Sequence, residues 1–229
     1  MSNPADTRAR IVAILQDIGA REVLDIGCGH GALAKSLCRD GFHVTGLDPS
    51  AEAIAAATTR VPGATFVTAG AEALPFAPAS FDAAIFLNAL HHVPVPDMQA
   101  ALKEALRVLR PNGEMIIVEP LAEGSFFEVM RPVEDETEIR EAAQRAIDDI
   151  LAQSQATGPA PVIYERATPM PDLEAFIDYL SAVDPARRAL AEGLRHDLAR
   201  LFAQNVVNGP TGQQLVQPLK IWRLRGNPG

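Results

Sequence analysis

Between residues 21 and 119 five short apolar runs alternate with stretches of helical period, and this alternation constrains the fold more than any other feature of the chain. The runs are REVLDI (21–26), HVTGLD (43–48), ATFVT (64–68), FDAAIFL (81–87) and EMIIVE (114–119), each of strand length. GALAKSLCRDG separates the first two, with Gly41 placed to end a helix, and DPSAEAIAAATTR follows the second. PDMQAALKEALRVLRPNG precedes the fifth; it carries Leu102, Ala105, Leu106 and Leu109 on one face and stops at Pro-Asn-Gly. Parallel strands need crossover connections, and helical crossovers cover both faces of the sheet. The expected fold is therefore α/β: a doubly wound, Rossmann-like, mainly parallel sheet.

Beyond Pro120 the pattern changes. LAEGSFFEVMRPVEDETE has neither period, after which Ile139, Ala142, Ala143, Ala146, Ile147, Ile150 and Leu151 mark an amphipathic helix, with Asp135 and Glu138 spaced as a capping box. A proline-rich stretch then surrounds a short strand at 162–167. Two further helices are expected, one capped by Asp172 and one by Asp184 with Pro185 at its first position, the second carrying Leu190, Leu194, Leu198 and Leu201. LVQPLKIWRLR closes the pattern as a β-rich run. Four parts follow: an N-terminal helix (1–20), the core (21–120), a helical cap inserted after the fifth strand (121–160), and a C-terminal part that completes the sheet (161–229).

A chain of 229 residues can bury a full core. Its formal charge is −9 and its 20 basic residues form no block, so most of the surface repels a phosphate backbone and nucleic acid is not an expected partner. No apolar run nears the ~18 residues of a membrane span. The opening MSNPADTRARIVAILQDIG lacks the apolar core and cleavage site of a signal peptide, which gives a cytoplasmic expectation. Cys28 and Cys38 fit neither a zinc spacing nor a disulfide framework; reduced thiols and no metal site are expected.

Asp25 lies near the end of the first run, and the turn that follows, in DIGCGHGA, satisfies both D-x-G-x-G-x-G and the dinucleotide pattern G-x-G-x-x-(G/A) with Ala32 in third place. Asp48, 23 positions later, ends the second run. A carboxylate there suits the two hydroxyls of a ribose and opposes a 2′-phosphate, and it equally suits the cap of the next helix. Dinucleotides, mononucleotides and adenosyl sulfonium compounds all remain compatible with these two features.

The segment after the third run separates them. AGAEALPFAPASFDAAIFLNALHHV, together with EALRVLRPNGEMIIVEP, resembles the class I S-adenosylmethionine-dependent methyltransferases, and among them the ubiquinone/menaquinone-biosynthesis-like branch with its type 11 methyltransferase domain. The resemblance spans residues 21–120 in five ordered segments. It implies a seven-stranded sheet, S-adenosyl-L-methionine as methyl donor and S-adenosyl-L-homocysteine as product. It also implies roles. Asp25, Gly27, Cys28 and Gly29 would face the methionine moiety, with Asp25 toward its amino group. Asp48 would hold the ribose hydroxyls, Pro49 and Ser50 would border the adenine, Ala71 and Glu72 would lie at the adenine edge, and Asn88 would meet the amino acid end through its backbone. The family often carries Asp before the Ala-Glu pair, where this chain has Gly70. Either Glu72 or a water then takes the adenine amino group, or adenine is held less firmly.

Methyl transfer from a sulfonium is an in-line displacement that depends on placing the nucleophile ~3 Å from the methyl group. A base is needed only when the acceptor must lose a proton. His91 and His92 are candidates for that base, and loop packing is the alternative for both. Phe126, Phe127, Met130 and Tyr164, with Tyr179, are candidate walls of an apolar acceptor pocket, with ordinary packing as the alternative. The expected activity is methylation of a small apolar or aromatic acceptor on oxygen, carbon or nitrogen. Two rivals stand beside it. One is a non-catalytic regulatory or assembly protein that binds the donor or its product. The other is an NAD-dependent oxidoreductase, which would need a Tyr-x-x-x-Lys relay that neither Tyr164 nor Tyr179 begins. The irregular segment 121–137 is as fit to meet a second copy in a homodimer as to cover a pocket.

Overall fold

The computed structural model describes residues 6–153, 157–210 and 212–225. Two compact units divide the chain: Met1–Glu119 with Glu141–Val162 and Lys220–Gly229, and Pro120–Arg140 with Ile163–Leu219. The stretch 121–160, expected as one inserted cap, is thus split at Arg140.

In the first unit α1 (Thr7–Asp17) begins at Asp6, whose carboxylate accepts the Arg8 amide. There follow β1 (Glu22–Ile26), α2 (Ala32–Arg39), β2 (His43–Asp48), α3 (Ala51–Arg60), β3 (Thr65–Thr68), β4 (Phe81–Leu87), α4 (Met98–Val108) and β5 (Leu109–Pro120). The pairs β1/β2, β2/β3, β1/β4 and β4/β5 are parallel, and Asp25 stands between Gly46 of β2 and Ile85 of β4. The chain runs outward from β1 to β3, then returns to the other side of β1 as β4. Strand order therefore reverses between β1 and β4, and such a point leaves a crevice at the carboxyl ends of the strands. Central strands covered on both faces are largely apolar, as Val23, Leu24, Ile26, Ile85 and Phe86 are here, with Asp25 the buried exception in β1.

Strand β5 starts five residues before the expected run. The Pro-Asn-Gly stop lies inside it as an irregularity: Phe81 pairs Leu109 but Ala83 pairs Glu114, and Asn112 takes a left-handed φ of 67°. The remaining elements are α5 (Ser125–Met130), α6 (Thr137–Gln153), β6 (Val162–Pro169), α7 (Leu173–Val183), α8 (Ala186–Gly193), α9 (Arg195–Asn205), β7 (Val207–Gly209) and β8 (Gly212–Arg225). From Glu141 onward α6 belongs to the first unit, where Ala143, Ile147 and Ile150 are buried and the Ala146 carbonyl accepts from Gln99. Its start departs from the expected capping box, because Asp135 accepts the Thr137 amide at 3.0 Å.

Strand order is β3-β2-β1-β4-β5-β8-β6, with β7 on β8, so the described sheet has eight strands. The strand beyond the seven expected is the three-residue β7, a hairpin partner of β8. The second unit has its own core, in which Phe126, Phe127 and Met130 of α5 meet Phe176, Ile177 and Leu180 of α7 and Leu198 and Phe202 of α9. The single helix expected after Asp184 is two, broken at Gly193, a poor helix former. The break frees Leu198 from the direction of Leu190: the first is fully buried and the second is half exposed.

Candidate functional site

The turn after β1 is bound to the tip of β2. The Gly27 and Cys28 amides both donate to the Leu47 carbonyl, at 2.8 and 3.0 Å, the Gly29 amide donates to Asp48 Oδ2 at 2.9 Å, and the Gly31 amide donates to the Cys28 carbonyl at 2.9 Å. Gly27 has a φ of 73°, and a Cβ there would lie 2.6 Å from that of Ala89, so conformation and space both require glycine. Phosphate sites at such turns rely on free amides aimed at the ligand. In this turn those four amides already have partners within the fold.

A cleft of about 600 Å³ opens at the carboxyl ends of β1, β2 and β4. Ile26 and Gly27 contribute from the turn, Leu47, Asp48 and Pro49 from the tip of β2, and Gly70, Ala71 and Glu72 from the segment after β3. Phe86, Asn88, Ala89, His92, Val93, Pro94 and Asp97 complete it from β4 and the residues beyond. Asp48, Glu72 and Asp97 are the charged side chains of this lining, and no Lys or Arg joins them. Asp48 also accepts the Ser50 amide through Oδ1 at 2.9 Å. Each carboxylate oxygen has two lone pairs, so the side chain keeps acceptor capacity toward the cleft.

Asp25 is 2% exposed, and its Oδ2 has no hydrogen-bond partner among the described residues. Burial pushes its carboxyl up from 3.8 to about 7; the Ala34 amide opposes that rise and the charge of Asp48 adds to it. Asn88 takes a left-handed φ of 50°, unusual outside glycine, while its amide donates to the Val118 carbonyl at 2.8 Å. Its side-chain oxygen is likewise buried without a partner.

Of the residues singled out from sequence, the cleft brings together Gly27, Asp48, Pro49, Ala71, Glu72, Asn88 and His92. Ser50 instead caps α3, accepting the Ala53 amide at 3.2 Å. The Cys28 thiol is buried, and burial together with the charges of Asp25 and Asp48 raises it to about 12, which keeps it protonated and inert. His91 is 3% exposed and turned onto Glu119, its ring centroid 4.1 Å from that of His92. The carboxylate of Glu72 folds over Gly70, in the space a side chain at that position would enter. Phe126, Phe127 and Met130 are taken up by the core of the second unit, Tyr164 is buried on β6, and none of the four lines the cleft. Sequence reasoning passed over Glu119, whose one signal was a carboxylate ending an otherwise apolar run. It also passed over Val93, Pro94 and Asp97, which follow no periodic pattern. Among the described residues no group of three or more His, Cys, Asp and Glu is arranged to hold a metal ion, and no helix is long and apolar enough to cross a membrane.

Residues 23–113 match the family of methyltransferase domains. The demethylmenaquinone methyltransferase of Beutenbergia cavernae is 38% identical over 110 residues, which are 47% of this chain and 45% of that protein. The fatty-acid O-methyltransferase of Mycolicibacterium smegmatis is 30% identical over 182 residues, 77% of this chain and 64% of that protein. The chain therefore spans about half the length of the first relative and less than two thirds of the second. The YcgJ protein of Bacillus subtilis, 19% identical, shares the fold over 96% of this chain and 99% of its own, with a TM-score of 0.67.

Proposed function

Because the core of this chain is a class I S-adenosylmethionine-dependent methyltransferase domain, we propose that the protein transfers the methyl group of S-adenosyl-L-methionine to a small apolar or aromatic acceptor. The sign of the cleft carries this reading. The Gly27, Cys28, Gly29 and Gly31 amides are engaged within the fold, while Asp48, Glu72 and Asp97 line a cavity whose lining holds no Lys or Arg. Such a lining favours a ligand with a sulfonium and an ammonium over one with two phosphates.

The residues present fit the donor. The orphaned oxygen of buried Asp25 suits its ammonium group, Asp48 its ribose hydroxyls, and Ala71 and Glu72 its adenine edge. When bound, the donor supplies an electrophilic methyl group and a thioether leaving group. The chain's own work is to bind, orient and exclude water, a proximity effect. His92, at the cleft, is the base for acceptors that must lose a proton; His91 is less suited to that role because it is buried and lines no part of the cleft. The two relatives are named for demethylmenaquinone and for fatty acids, and an apolar body is what those acceptors share.

Calorimetric titration with S-adenosyl-L-methionine, S-adenosyl-L-homocysteine and NADH tests the donor. Saturable binding of the first two and not the third is expected; binding of NADH alone rejects the reading. Turnover against quinols, phenols and fatty acids then separates an enzyme from a protein that only binds the donor.

A further inference from the structure

Glu119 lines no part of the cleft, yet it is 1% exposed at the end of β5 and holds three successive residues, Ala89, Leu90 and His91, the first of which lines the cleft. Oε1 accepts the amides of Ala89 at 3.1 Å and Leu90 at 2.9 Å, and Oε2 accepts from Nδ1 of His91. The need for such an acceptor is physical. After β4 the chain turns at left-handed Asn88 into a single 3₁₀ turn, Leu90–His92, so the buried Ala89 and Leu90 amides leave the strand ladder with no helical carbonyl to receive them. An ionised carboxylate accepts all three donors at once.

We propose that Glu119 is the positioning residue of this cleft, fixing the 89–92 turn so that Ala89 closes against Gly27 and His92 faces the ligand. Two contacts carry its influence inward. Ala89, held by Glu119, is the residue whose Cβ leaves no room at Gly27. His92 rests with its ring against that of His91, which Glu119 holds. Glutamine at 119 preserves the arrangement, since its carbonyl accepts both amides and its NH₂ donates to the other tautomer of His91; alanine preserves none of it.

The proposal rests on the donor reading, and the experiment separates the two. S-adenosyl-L-methionine is titrated into the full chain as wild type, Glu119→Gln, Glu119→Ala, His92→Ala and the Glu119→Ala/His92→Ala double variant, each with its thermal unfolding recorded. Glutamine should bind within about threefold of wild type and alanine at least about tenfold more weakly. The double variant should be no weaker than Glu119→Ala alone, because both changes remove one arrangement; a purely structural role gives losses that multiply. Hydrogen exchange supplies a readout that needs neither the donor nor a drastic variant. In Glu119→Asp, whose side chain is one methylene shorter, the Ala89 and Leu90 amides should exchange at least about tenfold faster while Ala84 and Phe86 of β4 stay protected. Unchanged exchange, multiplicative losses, or wild-type affinity in Glu119→Ala each overturns the proposal. Failure of the wild type itself to bind overturns the donor reading instead, and the exchange data still decide whether Glu119 holds the turn.

Discussion

Asp48 accepts the Gly29 amide with one carboxylate oxygen and the Ser50 amide with the other, both at 2.9 Å, so one side chain at the tip of β2 joins the glycine turn of β1 to the start of α3. Asp48→Ala removes this tie together with the carboxylate that we propose holds the ribose. Hydrogen bonds to a charged group contribute about 1.5–3 kcal/mol each, so donor affinity should fall by about ten- to a hundredfold. Unchanged affinity by calorimetry would show that the ribose lies elsewhere.

Gly27→Ala should be costly despite adding a single methyl group. The new Cβ meets Ala89 at 2.6 Å on a backbone held at a φ of 73°. Strain and overlap together should lower stability by about 1–3 kcal/mol and abolish donor binding at ordinary concentrations. Urea unfolding measures the first effect, and a midpoint equal to wild type would contradict it.

Asp25 should leave a pH signature. Its folded carboxyl is raised to about 7, chiefly by burial, so the folded state holds that proton more tightly than the unfolded one. The resulting stabilisation is complete below about pH 4 and is lost as pH rises through about 7. Asp25→Asn stays neutral, so wild type should lose on the order of a few kcal/mol relative to it between these limits. Denaturation curves at several pH values test this, and parallel pH dependences would refute it. On the proposed reading donor binding should run the other way: a carboxylate that meets an ammonium must be ionised, so wild-type affinity should rise with pH near 7 while the asparagine variant stays weak and flat.

Glu114 is fully buried midway along β5, with Arg223 Nε at 2.7 Å and Arg225 Nε at 2.6 Å. Replacing it with alanine leaves two guanidinium groups facing one another. Both arginines are partly exposed and regain water, so the loss should be about 2–3 kcal/mol, at the lower end for a broken buried pair. Chemical denaturation measures it, and donor affinity should be unchanged.

Phe127, 1% exposed in the core of the second unit, separates packing from pocket. Phe127→Ala should cost about 3–5 kcal/mol of stability. A cost below about 1 kcal/mol would mean that the ring borders a cavity able to collapse or admit water.

The alternation of strands and helices was legible in the sequence because both periods follow from local backbone geometry and need no distant partner. The glycine turn, Asp25 and Asp48 were legible for the same reason: a turn that requires Gly27 and a carboxylate at a strand tip are features of neighbouring residues. The direction of the turn's amides was not. Those of Gly27, Cys28 and Gly29 point to Leu47 and Asp48, nineteen and more residues away, and on the proposed reading that pairing favours a cation over a pyrophosphate. The aromatic residues after β5 carry no sign of whether they face a cavity or a core, since burial is decided by α7 and α9, far along the chain. His91 and His92 are adjacent and chemically identical; only Glu119, brought alongside by the pairing of β4 with β5, buries one and leaves the other at the cleft. Local sequence thus determined which elements form and where the glycine turn lies, and tertiary packing decided which polar groups remain free to meet a ligand, because a donor or acceptor is available only when no distant residue has already satisfied it.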